Sequence, residues 1–562
     1  MSARPISAIR FGVFLHGRSL HDWEWESIDL LRKAGASCLF ILGSPDPDER
    51  RSSPVRALDA LVLQVCGLPR GPTSIRADAD AGRYQPAITC TVERGICGGR
   101  ALTDEQQKAL REHRLAFILF FGVGEAPEGL AGCAEFGVWH FTHSSEAAWG
   151  YPFVQALRRG ADIVAFGLEQ IAADGRRRLL RNGHFRARGE PARSVTAQVL
   201  GQASRWPLLV LRHFLVSGQL PHAQDSGPGP DVFPQVVPLL LGLLRREVLQ
   251  RVKYRLKSYL VLETWNIGLA QMDFGSILGG ATFPKVALLP PLRLGHYLAD
   301  PFVLSTTPKL TLLAEEYSDF GVGRIVEVAV NDPLEAPQID VTVRLQSPHH
   351  LSYPFLLRED GVTYCLPECH QSGRALLYRY DDGRLTPVAD LVPGARVTDG
   401  TVVFHDGLYW LFCGLEDDND HTNLHLFFSR TLHGPWSPHP LNPVKTDVRS
   451  ARPAGPIVVH EGMLYRPAQD CSKSYGYGVS INRIDRLTVD GFQETVVATI
   501  GPAAVSKSCK GVHTLSFAGG LMVIDVRLDA IGLKPILVRL LRRMRRMAAG
   551  QSRFLPFRSR SA

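Results

Sequence analysis

Three acids stand where short apolar strands begin or end. Asp300 lies in the string ADPFVL, Asp399 in TDGTVVF, and Glu368 closes GVTYCLPE. Cleaving a glycosidic bond takes two carboxylates that converge on one sugar linkage, about 6.5–9.5 Å apart for inversion and about 5 Å for retention. Acids delivered by separate strands to one point would therefore suit a sugar site, and Asp300, Glu368 and Asp399 are the catalytic candidates of this half of the chain. A polar and aromatic set accompanies them: Tyr353, Arg452, Arg466, Gln469, Asp470, Tyr475 and His513. Flat aromatic faces cover the apolar face of a sugar, while guanidinium and carboxylate groups take its hydroxyls. Any one of these residues could equally belong to the scaffold, and Arg452 could simply pair with Asp470. As a set drawn from several strand ends they read as a ligand site. Cys365 and Cys369 beside His370 lack the spacing of a zinc site and read as buried thiols, so no metal is expected. Glu315 and Glu316 end an apolar strand that faces either the same point or a hairpin, and His349 and His350 read as loop polar groups.

The elements that must position these residues repeat. The strings that start at Ala299, Ser352, Thr398 and Pro453 each run turn, apolar strand, charged-Gly hairpin, second apolar strand. Their starts are 53, 46 and 55 residues apart, close to the period of a four-stranded propeller blade. A weaker fifth copy, HTLSFAGGLMVIDV, begins at His513. A hairpin in every unit and no helix favour an all-β five-bladed propeller over a solenoid, with residues 286–530 as its extent. The innermost strand of each blade aims its first residues at the central funnel, which is why the strand-head acids are singled out.

The first part of the chain alternates instead. Ala8–His16, Ala36–Gly43, Ala60–Val65 and Leu115–Gly122 read as strands, with helical patterns over Leu20–Ala34 and Asp104–Glu112. Strands separated by helices imply a parallel sheet covered on both faces, a Rossmann-like α/β domain over residues 1–190. No GxGxxG follows the first strand, so a dinucleotide is not expected. Residues 191–285 take helical spacing and read as a helical connector. In the tail, residues 531–562, Ile536, Leu537, Leu540, Leu541 and Met544 fall near one side of a helix with arginines on the other. Such a basic amphipathic helix suits an anionic membrane surface.

Of 562 residues, 45% are hydrophobic and 21% charged, the composition of a globular protein too long for one core. The net charge of +8 sits in the tail: nine Lys or Arg and no acid follow Asp529, which leaves about −1 for the rest. A basic tail on a neutral body argues for a local anionic contact and against a nucleic-acid partner. The ten cysteines follow no metal spacing and Met1–Ile9 has no apolar leader core, so reduced thiols and a cytoplasmic location, peripheral to the inner face of the membrane, are expected.

The strings HLSYPFLLREDGVTYCLPE, DGTVVFHDGLYWLF, HGPWSPHPLNPV and ARPAGPIVVHEGMLYRPAQDCSKSYG resemble the N-terminal propeller domain of plant glucosamine inositolphosphorylceramide transferase, which bacterial proteins share and which is similar in fold to glycoside hydrolase family 43. The likeness covers roughly Trp265–Val526 and does not extend to the plant enzyme's glycosyltransferase domain. Family 43 implies Asp300, in its DPF string, as general base. Its acid, a Glu in a Glu-Gly-Pro string, falls here on Ala454, so either Glu368 or Asp470 takes that role or hydrolysis by the family 43 mechanism is lost. The N-terminal strings FGVWHFTHSS and ADGRRRLLRNG resemble folate-dependent formyltransferases. That likeness implies His143 as catalytic His, Asp174 as catalytic Asp and 10-formyltetrahydrofolate as cofactor, with Phe141 where the family has Asn. Formyl transfer passes through an oxyanion that needs donors, and Phe has none. Together these readings point to a carbohydrate-modifying enzyme of surface glycan or glycolipid assembly, a formyl- or glycosyltransferase before a hydrolase, acting on a sugar, with amino sugars among the candidates. The alternative is a catalytically inert glycan-binding protein.

Overall fold

The computed structural model describes residues 4–16, 19–43, 73–74, 86–90, 93–94, 100–121, 125–141, 152–222, 236–319, 321–531, 535–538, 540–541 and 544. The chain divides into two compact units, Met1–Gln250 and Arg251–Ala562.

In the first unit a seven-stranded sheet runs in the order Arg177–Arg186, Ile163–Ile171, Val138–Phe141, Phe117–Phe120, Arg10–His16, Ser37–Gly43, Pro86–Cys90. The last five in that order pair in parallel, and the first two are antiparallel. Phe117–Phe120 and Val138–Phe141 are buried throughout, as strands covered on both faces must be. The helices Asp22–Lys33 and Asp104–Glu112 each begin with a capping box, His21 with Glu24 and Thr103 with Gln106, which occupies donors that a helix start leaves open. The expected strand Ala60–Val65 lies outside the described residues. Helices Ala192–Ala203 and Trp206–Ser217 bury Val195, Val199, Trp206 and Leu209 in the same core as the sheet. They are thus part of the α/β unit, which corrects the reading of residues 191–285 as a connector.

The second unit contains five antiparallel sheets arranged as propeller blades. Blades I to IV are formed within residues 296–345, 352–390, 397–438 and 458–500. Blade V is composite: Val261–Gln271, flanked by Ala287–Leu288, pairs along its whole length with Leu521–Ile531, from Val261 opposite Ile531 to Gln271 opposite Leu521. Leu515–Ala518 and Cys509–Gly511 complete it. This is a second correction: the propeller begins at Val261, not near 286, and the helix Val236–Leu260 runs directly into its first strand. Closing the ring with strands from both ends of the unit removes the open edge that a single-chain blade V would leave. Separate apolar clusters fill the seams between blades, among them one around Ile267, Leu312 and Val328 and another around Trp410, Leu464 and Ile484.

Candidate functional site

The heads of the inner strands share one irregularity. In blades I to III the pairing slips between Ala299 and Phe302, Ser352 and Phe355, and Thr398 and Thr401. Inside each slip one residue takes a left-handed backbone: Asp300 (φ 49°), Tyr353 (φ 43°) and Asp399 (φ 47°). A bulge of this kind turns a strand-head side chain away from the alternating pattern, here toward the axis, at a cost of about 1–3 kcal/mol per strained residue. In the stacked repeats, Ala454 and Thr514 occupy the corresponding places of blades IV and V. Gly455, beside Ala454, has φ 135°, and its N–H donates to the Tyr353 hydroxyl at 2.7 Å.

Two linked polar clusters result. In one, Arg452 donates from Nε to Asp399 Oδ2 at 2.6 Å, from Nη2 to Glu368 Oε2 at 3.4 Å and from Nη1 to Asp420. Gln469 Nε2 donates to the same Asp399 oxygen at 2.7 Å, the Asp399 N–H donates to Glu368 at 3.0 Å, and His370 Nδ1 lies 2.8 Å from the other Glu368 oxygen. In the second, His513 stands between two acids, with Nε2 3.2 Å from Asp300 Oδ1 and Nδ1 2.5 Å from Asp525 Oδ2. Thr514 Oγ1 donates to Asp300 at 2.6 Å, and the Tyr353 N–H donates to it at 3.1 Å. Tyr353 joins the clusters, since its hydroxyl lies 2.9 Å from Thr401 Oγ1 in the Asp399 strand. Asp300, Asp399, Glu368, Arg452 and His513 are all buried.

Three acids around one guanidinium leave an excess of negative charge. Burial, opposed by Arg452 and reinforced by Glu368, pushes Asp399 well above the usual carboxylate range. Glu368 moves the other way: burial would raise it, but the His370 hydrogen bond and the Arg452 charge outweigh that and hold it low. Burial likewise raises Asp300, with His513 opposing and Asp525 adding. His513 is raised because Asp525 and Asp300 outweigh its desolvation. Asp300, His513 and Asp525 also bring possible ligand atoms within 4.8 Å of one another, so they are the described residues that could hold a cation, in competition with the imidazole proton. An aromatic group borders the clusters: half-buried Tyr475 lies 5.2 Å from the His513 ring and 5.6 Å from His421, with Arg452 5.7 Å from its centre. Trp265, from the composite blade, packs on His513 at 4.1 Å.

Of the residues singled out from sequence, Asp300, Glu368, Asp399, Arg452, Gln469, Tyr475 and His513 meet here. Tyr353 does so as scaffold, because its side chain is fully buried and its hydroxyl is spent on Thr401 and Gly455. Arg466 does not meet a ligand: it is 0% exposed, held by Glu494 at 2.6 Å and by the carbonyls of Ser450 and Ala451. Asp470 is half-buried at a strand end, where it accepts the Ser472 N–H at 2.9 Å and makes no pair with Arg452. Asp525, Asp420, His421 and Trp265 were missed. Only Asp525 left a signal, as one acid inside the apolar strand LMVIDV.

In the α/β unit, His143 lies outside the described residues. Asp174 occupies an exposed hairpin turn, ion-paired with Arg176 at 2.6 Å, which with the Arg176 N–H holds its carboxyl below the usual range. Phe141 is fully buried among Trp23, Phe121 and Phe166. These described residues do not fit a formyl donor, since neither aims a free donor at an oxyanion, and no formyl-transfer step follows from them.

The fold and the funnel define a five-bladed propeller with a charged, aromatic-rimmed centre. Residues 293–518 match the family described as glucosamine inositolphosphorylceramide transferase 1, N-terminal. The transferase of that name from Arabidopsis thaliana is 30% identical over 230 residues, 39% of this chain and 29% of the plant protein. That from Oryza sativa subsp. japonica is 30% identical over 217 residues, 36% and 28%. The chain thus matches under a third of the length of these relatives. Among solved structures, the catalytic domain of a Coprinopsis cinerea family 62 α-L-arabinofuranosidase overlaps 45% of this chain and 99% of its own at 12% identity and TM-score 0.34. A thermostable family 43 glycoside hydrolase overlaps 35% and 74% at 15% identity and TM-score 0.29.

Proposed function

We propose that this chain takes part in modifying a glycolipid or surface glycan, and that its propeller funnel is the part that recognises the sugar. The observation that carries the reading is the ring of strand heads, Asp300, Tyr353, Asp399, Ala454 and Thr514, one from each blade, backed by Arg452 and His513 and rimmed by Tyr475 and His421. Buried, hydrogen-bonded charges are positioned in advance, and an aromatic face beside them suits one side of a sugar ring. Kinship with the N-terminal part of glycolipid transferases supports the substrate class.

Hydrolysis through two carboxylates is not part of the proposal. Asp399 and Glu368 are committed to Arg452, and the place of the family 43 acid is Ala454. Arg452 therefore favours recognition over cleavage, whether the transfer takes place elsewhere or the chain binds without catalysis. Formyl transfer from 10-formyltetrahydrofolate is a separate proposal, resting on His143 in the α/β unit; titration with 5-formyltetrahydrofolate tests it, and absence of binding at high concentration would retire it.

For the tail, the support is the exposure of Ile536, Leu537, Leu540 and Met544, each 46–57%. We place it on an anionic cytoplasmic membrane surface; cosedimentation with phosphatidylserine vesicles that is unchanged by removal of residues 531–562 would overturn this. No described helix is long and apolar enough to cross a membrane.

The test of the funnel is calorimetric titration of the full chain with glycolipid headgroup oligosaccharides, repeated on Tyr475→Ala and Tyr475→Phe. Expected is a loss of about tenfold or more for the alanine variant and near-retention for phenylalanine, since the ring and not the hydroxyl makes the contact. Equal affinity of the alanine variant and the parent would sink the reading.

A further inference from the structure

A cleft opens on blade I. Its volume is about 500 Å³, within the range of small-molecule sites, and its polar lining is Arg293, His296, Ser318, Arg324, Gln346 and Ser347. No acid lines it. The acid behind it, Glu316, is buried and already committed: one oxygen accepts Arg324 Nε at 3.1 Å and Nη2 at 2.8 Å, the other lies 2.9 Å from His296 Nδ1. This arrangement fixes the Arg324 guanidinium and leaves its Nη1 for a ligand. His296 Nε2 faces Ser318 Oγ at 3.4 Å. Arg293 is exposed and pairs with no acid among the described residues. Half-buried Asp319 adjoins the cleft without lining it.

The cleft and the funnel share a strand. His296 heads the strand that carries Asp300 four residues on, which at about 3.3 Å per residue places the two about 13 Å apart. Gln346 and Ser347 lie in the connection to Ser352–Glu359, at whose head Tyr353 stands. A short oligosaccharide spans that distance.

We infer that this cleft binds an anionic substituent, a phosphate or a carboxylate, of the carbohydrate recognised at the funnel. Two guanidinium groups with neutral hydroxyl and amide donors, and no acid among the described lining residues, match a small anion and would be wasted on a neutral sugar. The inference rests on the reading of the funnel as a carbohydrate site, and it names the charge that the carbohydrate carries.

The experiment is titration of the full chain at low salt with inorganic phosphate, glucose 1-phosphate, glucuronate and glucose, on the parent and on Arg293→Glu, an exposed change that leaves the Glu316 pairs intact. One or both charged sugars should bind about tenfold or more tighter than glucose, weaken with added salt, and lose that advantage in the variant. Preference for glucose 1-phosphate over glucuronate assigns the group as phosphate, and the reverse as carboxylate. Binding of inorganic phosphate that depends on Arg293, with no sugar bound anywhere, upholds the anion site and rejects the funnel reading. Glucose and the charged sugars binding alike, or indifference of all probes to Arg293→Glu, overturns the inference even where Tyr475→Ala shows that the funnel binds sugar.

Discussion

Arg452 governs what the funnel acids can do. With Glu368, Asp399 and Asp420 all on one buried guanidinium, removal of the cation leaves carboxylates that burial cannot tolerate. Arg452→Met should lower propeller stability by about 3–5 kcal/mol in denaturant unfolding, and a second change, Asp399→Asn, should recover part of it. His513 gives a pH test. Its folded-state pKa lies above the ordinary value near 6.5, so the imidazolium between Asp300 and Asp525 stabilises the fold fully below about pH 6.5, and that contribution fades as pH rises through the folded-state pKa. The stability advantage of the parent over His513→Asn should therefore be largest near about pH 6 and shrink towards about pH 9; an advantage that grew with pH would contradict the placement of the proton. Eight of the ten propeller residues singled out from sequence converge at the funnel, Tyr353 among them as scaffold, because strand heads in a repeat are visible as strings. Arg466 and Asp470 misled because residue type alone does not say which side of a strand faces the axis, and Asp420 and His421 sit in a loop outside the repeat.

At the scale of the blade, the left-handed strand heads do the positioning. Gly455 shows how tightly: a Cβ there would lie 2.0 Å from the Leu515 carbonyl oxygen, and its φ of 135° is strained for any side chain. Gly455→Ala should cost several kcal/mol and lower the unfolding midpoint, whereas Gly407→Ala, with nothing within 4 Å of its added Cβ, should cost only the strain of its φ of 76°. Matching losses in urea titrations of the two variants would mean that the Leu515 contact is not limiting. The four-string repeat made blades I to IV legible, since each is built from consecutive residues. Blade V was half hidden. Its strand Val261–Gln271 buries Trp265, Ile267, Leu269 and Ala270, a legible apolar strand, but no Gly or Pro separates it from the helix Val236–Leu260, so its texture reads as a continuation of that helix.

At the scale of the whole molecule, the pairing of Val261–Gln271 with Leu521–Ile531 joins the two ends of the propeller across its entire length, and local patterns carry no trace of such a contact. The physical consequence is cooperativity: blades I to IV cannot close until the last strand meets the first, so the closing strand is worth more than its own buried area. Residues 251–531 expressed alone should fold with a single sharp thermal transition, because they contain every strand of the ring. Residues 286–531, which begin where the sequence texture alone would put the boundary, lack Trp265 on the His513 face and expose Leu521–Ile531 as an unpaired apolar edge. They should aggregate or unfold at markedly lower temperature in scanning calorimetry and lose the pH dependence ascribed to His513. If the shorter piece instead melts as sharply and as high as the longer one, the strand from Val261 is an accessory and the ring is held by its blade seams.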